Sequence, residues 1–258
     1  MKPLLLLFAL SGCASKGKAS VDPTPSWATE GGRVSAKIEL AEALLLNGTP
    51  EAALQMISQM SEAGVRHPDL FVLQGRALTD MGLVEEAETA LSQATRRSPT
   101  HADAHNRLGI LFMDQQRTED AIKRFRMAAR NATTDAEIHN NYGFALMAAG
   151  RHAEAVTVLR RALMLNGSQA RTRNNLGFAL VITGQDKAAW RVLRSSTNEE
   201  NARYNLALAQ ELRGDNAAAI ASYKRALKAD PDFEEATSAI ARLTGSAVKP
   251  VESTVEDD

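Results

Sequence analysis

Few side chains of this 258-residue chain are of a type and spacing that could do chemistry. Cys13 is its only thiol. His101 and His105 lie one helical turn apart, a spacing that can present two imidazoles to a metal, although it equally suits two side chains filling a helix seam. Asn106, Asn140 and Asn174 recur at intervals of 34, and four residues after each comes an apolar residue, Ile110, Phe144 and Phe178. An Asn amide both donates and accepts, so such a ladder could hold the backbone of an extended segment while the apolar residues grip its side chains. There is no glycine-rich phosphate loop, paired-cysteine metal motif or nucleophile elbow in the sequence. The chemistry on offer is recognition, so no enzymatic activity, cofactor, metal or small-molecule substrate is expected.

The interval of 34 belongs to the whole chain. Ala41, Gly75, Gly109, Gly143 and Gly177 keep it, and each is followed twelve positions later by an alanine: Ala53, Ala87, Ala121, Ala155 and Ala189. In units numbered from 1, these small residues hold position 8, with Ala207 as a sixth. Position 15 reads Gly48, Gly82, Gln116, Gly150, Gly184 and Gly214, where glycine supplies the left-handed residue that closes a helix. Position 24 is an apolar plug: Ile57, Leu91, Phe125, Leu159, Leu193 and Tyr223. Position 27 carries Ala94, Ala128, Ala162 and Ala226, while Met60 and Ser196 depart from it.

These offsets resemble the tetratricopeptide repeat, a two-helix unit that stacks into a solenoid. The resemblance implies an all-α fold, a right-handed solenoid of about six helix-turn-helix repeats plus a C-terminal cap helix. The repeats fall at 34–67, 68–101, 102–135, 136–169, 170–199 and 200–233, with the cap at 233–243. The step from Gly177 to Ala207 is only 30. About one helical turn is therefore missing from the fifth unit, whose second helix should end near Ser195 and dock the sixth at a changed angle. Aromatics at 5% and the absence of Val/Ile/Thr-rich alternation agree with helices packed through small residues.

In this fold, positions 2, 5, 9 and 12 of each first helix line a concave surface, which places a partner-binding groove on Asn106, Ile110, Met113, Asn140, Phe144, Met147, Arg171, Asn174, Phe178 and Val181. Asp103 and Glu137 share the face. The alternative for Phe144 and Phe178 is that they fill space between first helices of adjacent repeats. His105 and His139 share position 4, where the motif usually packs an aromatic.

At the N-terminus, Leu4 to Leu10 form a short apolar run before Ser11-Gly12-Cys13. Leu-Ser-Gly-Cys resembles the bacterial lipobox, which implies a signal peptide over 1–12, lipidation of Cys13, and a mature protein beginning there. Three acyl chains exceed the two membrane signals that stable anchoring needs, whereas the run itself is too short to span a bilayer. Ala14 after the cysteine implies the outer membrane, facing the periplasm. Residues 13–33 hold turn formers and no periodicity and read as a flexible tether; 244–258 read as a disordered acidic tail. With a bacterial lipobox, the sequons at Asn47, Asn131 and Asn166 have little meaning as glycosylation sites.

Net charge is −1, without the footprint of a nucleic-acid binder. Its distribution is uneven: residues 117–194 hold 13 basic against 6 acidic side chains, while 30–116 and 195–258 each hold 7 against 12. The basic excess, including Arg124, Arg130, Arg160, Arg161, Arg191 and Arg194, falls largely on second helices, whose outer face is convex in this fold. It reads as a solvated face or as a docking surface for an acidic partner or lipid head groups.

Lipobox and repeats together resemble the outer-membrane TPR lipoproteins that serve pilus and secretion machines. Asn174 to Leu180, the shortened Leu193-Arg-Ser-Ser and Ala202 to Ala209 are similar to the TadD-type lipoprotein of tight-adherence pili. The repeat count and His139-Asn-Asn-Tyr-Gly143 resemble the PilF-type secretin pilotins. The resemblance implies a periplasmic scaffold whose partners are pilus or secretin assembly components. An adaptor for peptidoglycan-remodelling enzymes is the alternative, and an enzyme accessory subunit a remote one.

Overall fold

The computed structural model describes residues 30–195 and 197–245. The expected signal peptide, Cys13, most of the tether and residues 246–258 lie outside the described residues. Among those described there are thirteen helices and no strand. They run α1 (Glu30–Leu46), α2 (Pro50–Glu62), α3 (Pro68–Asp80), α4 (Val84–Arg97), α5 (Ala102–Asp114), α6 (Thr118–Asn131), α7 (Ala136–Ala148), α8 (His152–Leu165), α9 (Ala170–Ile182), α10 (Asp186–Leu193), α11 (Glu199–Leu212), α12 (Asn216–Ala229) and α13 (Glu234–Thr244). Each packs chiefly on its neighbours in sequence, and odd-numbered helices also touch the next odd-numbered one. This is the one-dimensional stacking of a helical-repeat solenoid.

The turn within each pair follows from position 15. Gly150 has φ +73°; its N–H donates to the Met147 carbonyl at 2.9 Å, and that of Arg151 to Leu146 at 2.8 Å. Gln116 takes the same left-handed conformation, φ +61°, and closes its helix with the same two bonds, to Met113 and Phe112. The seam within each pair is set by positions 8 and 24. A Cβ on Gly143 would lie 2.5 Å from Cγ of Leu159, and one on Gly177 2.5 Å from Cδ2 of Leu193. Gly75 and Gly109 stand in the same relation to Leu91 and Phe125. In these four pairs the 34-residue spacing records a helix-to-helix contact with no room for a Cβ unless the plug shifts, whereas Ala41 and Ala207 hold the same position beside Ile57 and Tyr223.

Two expected boundaries need correction. Helix α1 begins at Glu30, so the last four residues assigned to the tether are helical; Gly31 and Gly32 sit in its first turn, where each glycine costs about 1 kcal/mol. At the other end Thr244 completes α13, and Gly245 at φ +67° closes it.

The irregularity falls between the fifth and sixth pairs. Helix α10 has 8 residues, against 13 or 14 in the other second helices, and α11 leans on α9 over a longer stretch than other successive odd-numbered helices share. A polar clamp re-ties the joint. Arg213 donates to both carboxylate oxygens of Asp186, at 2.5 and 3.2 Å, and to the Val181 carbonyl at 2.7 Å. Gln210 donates to Asp186 at 2.6 Å and accepts from Ser222 at 2.8 Å. Burial pushes the Asp186 carboxyl up, but the bonds from Arg213 and Gln210 outweigh it and hold it below its ordinary value.

Candidate functional site

The concave face divides the expected groove residues into three groups. Phe144 and Ile110 project to solvent, 48% and 39% exposed, with Met113, Met147 and Phe178 half-buried beside the core and Arg171 exposed. Exposure at Phe144 contradicts a packing role and leaves it available to a partner. Val181 is the opposite case: fully buried, it belongs to the core and not to the groove.

Asn106 and Asn140 also require correction. Both are buried, at 8% and 3% exposure, and neither is an open rung for a bound backbone. Asn141 donates to Oδ1 of Asn106 at 3.2 Å, and Asn175 to Oδ1 of Asn140 at 3.0 Å. Position 5 of one repeat thus accepts from position 6 of the next. These bonds tie successive repeats together, because a buried amide carbonyl left without a donor would cost its desolvation.

Asn174 differs. It is exposed and lines an open recess of about 240 Å³ with Met147, Asn175, Phe178, Leu193, Asn205 and Leu208. The recess straddles α7, α9, α10 and α11, at the joint where the missing turn shortens α10. Its lining joins apolar side chains to three Asn side chains, of which Asn175 already donates to Asn140, so it can accept an apolar side chain of a partner beside polar groups. Its volume is below the roughly 300–1,000 Å³ usual for small-molecule sites, and suits one side chain of a protein partner. Leu208, 38% exposed, was missed among the candidates although it holds position 9 of the sixth repeat, as Phe144 and Phe178 do in theirs.

The histidines are used elsewhere. His101 accepts from the Ala104 N–H at Nδ1, capping α5, and its Nε2 meets Asp69 at 2.7 Å. Nε2 of His105 pairs with the Pro99 carbonyl at 3.0 Å, and burial holds its pKa below the ordinary value. Among the described residues no group of three or more His, Cys, Asp or Glu side chains is placed to hold a metal.

A stack of helical pairs with an amide-edged apolar recess on its concave face defines a protein-interaction scaffold of the tetratricopeptide type. The family profile described as the cilia and flagella-associated protein 70 C-terminal domain matches residues 28–205, and a tetratricopeptide-repeat profile matches 200–233. The chain belongs to that family of TPR domains. No curated protein sequence matches it significantly. Solved structures similar to it include PilF of Pseudomonas aeruginosa, at 16% identity over 81% of this chain and 96% of that one, with a TM-score of 0.63. YrrB, described as a TPR protein with an unusual peptide-binding site, aligns at 19% identity over 71% and 96%, TM-score 0.60. MamA aligns at 23% identity over 63% and 97%, TM-score 0.53. At such identities the likeness establishes the fold.

Proposed function

We propose that this protein is a lipid-anchored scaffold on the periplasmic face of a bacterial outer membrane, whose concave recess holds an extended segment of a pilus or secretin assembly component. The recess formed by Met147, Phe178 and Leu208 under Asn174, Asn175 and Asn205 carries the reading. The lipobox ending at Cys13 supports the anchor, and no helix among the described residues is long and apolar enough to cross a membrane. A peptide-binding site is stated for YrrB, and PilF shares the fold; both accord with peptide capture on this scaffold.

Two variants test the two halves separately. Cys13→Ser should lose labelled palmitate and leave the outer-membrane fraction. Phe178→Ala with Leu208→Ala should stay lipidated and folded, yet fail to support surface pili or assembled secretin. Palmitate retained on Cys13→Ser would refute the anchor. Normal pili and secretin in cells carrying the Phe178/Leu208 variant would refute the groove.

A further inference from the structure

The convex face carries a second depression, independent of the concave recess. Between α8 and α10, a groove of about 540 Å³ has Leu176 and Leu180 of α9 for its floor, both buried in the core. Leu163, Met164, Ala188 and Val192 form its sides, with Met164 72% exposed. Arg160 and Arg191 stand on opposite walls. Neither makes an ion pair among the described residues; the Arg191 Nε only donates back to the Lys187 carbonyl, at 3.3 Å. Arg161 on α8 and Arg194, which follows α10, add exposed positive charge.

The repeat supplies its own comparison. Three repeats earlier a groove of about 500 Å³ lies between α2 and α4. There Ser58 replaces Arg160, Gln74 replaces Leu176, Glu86 replaces Ala188 and Thr89 replaces Arg191, with Glu85 beside them. One backbone shape thus appears twice, polar and acidic near the N-terminal end, apolar and basic at the fifth pair. An isolated apolar floor between unpaired guanidinium groups fits a ligand that is apolar at one side chain and carboxylate-rich around it.

We propose that the occupant is this chain's own segment 246–258, bound in cis. That segment carries Glu252, Glu256, Asp257 and Asp258 against one Lys249, and its apolar residues Val251 and Val255 are spaced one helical turn apart. Reach permits it. From α13 the groove is three helix contacts away, through α12, α11 and α10, or about 24–30 Å at 8–10 Å per packed pair. Thirteen extended residues span about 43–47 Å. Seven to nine of them cross the gap, which brings Val255 over the apolar floor and Glu256 to Asp258 between Arg160 and Arg191. Covalent attachment gives the segment an effective concentration in the millimolar range, so weak contacts suffice to hold it. The acidic twin groove repels the same residues.

Disulfide trapping in the full chain decides this. Cys13→Ser removes the native thiol, and Met164→Cys with Val255→Cys places one thiol at the groove and one in the segment. Lys224→Cys with Val255→Cys is the control: Lys224 is exposed, holds the α12 position equivalent to Arg160, and is nearer the segment's origin, so an undirected segment would meet it first. The Met164 pair is expected to close within the monomer at least tenfold faster than the Lys224 pair. Arg160→Glu with Arg191→Glu, unchanged in circular dichroism, should abolish that advantage. Faster closure at Lys224, indifference to charge reversal, or covalent dimers as the main product would each overturn docking in cis.

Discussion

Replacing Gly143 by alanine should change the sign of its effect on stability according to what stands opposite. In the native chain the new Cβ lies 2.5 Å from Cγ and 2.6 Å from Cδ2 of Leu159, roughly 1 Å inside the 3.5–4.0 Å optimum for carbon contacts. Leu159 is fully buried, and Cγ is not a free end that can swing aside. The helices must separate, at about 1–3 kcal/mol for overpacking. Against this, alanine in a helix interior is favoured over glycine by about 1 kcal/mol. With the clash near the top of its range, Gly143→Ala should destabilise by about 1–2 kcal/mol. Leu159→Ala alone should cost about 2–5 kcal/mol, but it empties the space the new methyl needs. In that background Gly143→Ala should stabilise by about 1 kcal/mol, a coupling of roughly 2–3 kcal/mol between the two sites. Urea denaturation followed by circular dichroism at constant m-value reads all four corners of the cycle. If Gly143→Ala stabilises both backgrounds alike, or the coupling falls below about 0.5 kcal/mol, the position 8 to position 24 seam is not what spaces the glycines.

Asn140→Ala should cost about 1–2 kcal/mol in urea melts, because it removes the acceptor of the Asn175 amide at a buried site; an unchanged melt would count against the inter-repeat amide pair. Gln116→Gly should stabilise by about 0.5–1 kcal/mol, since a non-glycine residue at φ +61° bears about 1–2 kcal/mol of left-handed strain, partly offset by glycine's greater unfolded-state freedom. The clamp at Asp186 adds a pH dependence. Its folded pKa is below the ordinary 3.8, so its stabilising contribution is present above about pH 4 and is lost as pH falls through the folded value. Acid titration of unfolding free energy should therefore be steeper below pH 4 in the native chain than in Asp186→Asn; equal slopes would count against the clamp.

The elements that repetition specifies were readable from the chain. Gly143 opposite Leu159 and Gly177 opposite Leu193 leave a fixed mark because each contact is local, within one helix pair, and admits only the smallest residues, glycine here and alanine at Ala41 and Ala207. The left-handed turn was legible for the same reason, and Gln116 obeys it despite its side chain. Contacts between repeats were harder. Asn106 and Asn140 share a position with Asn174, and the pattern alone assigns all three to one surface; burial of the first two depends on Asn141 and Asn175 of the following repeat. Val181 shows the same limit. Its position faces the groove in the repeat pattern, but α11 leans toward α9 beyond the short α10, and the side chain closes into the core.

The proposed recognition falls at the one irregular joint among the described residues. At the regular joints the pairs Asn141 to Asn106 and Asn175 to Asn140 engage amides between repeats, and a smaller recess of about 190 Å³ opens between α3 and α5 beside Ile110. Removing four residues ends α10 at Leu193 and draws α11 toward α9. The recess at this joint has Leu193 in its lining and Met147, Phe178 and Leu208 gathered from three different helices. Loss of a turn weakens the stack locally, and the Asp186, Arg213, Gln210 and Ser222 network restores the tie on the polar side of the joint. Clamp and recess thus meet at one joint: the first ties α11 and α12 back to α10, and the second is the place where the proposed partner segment would dock.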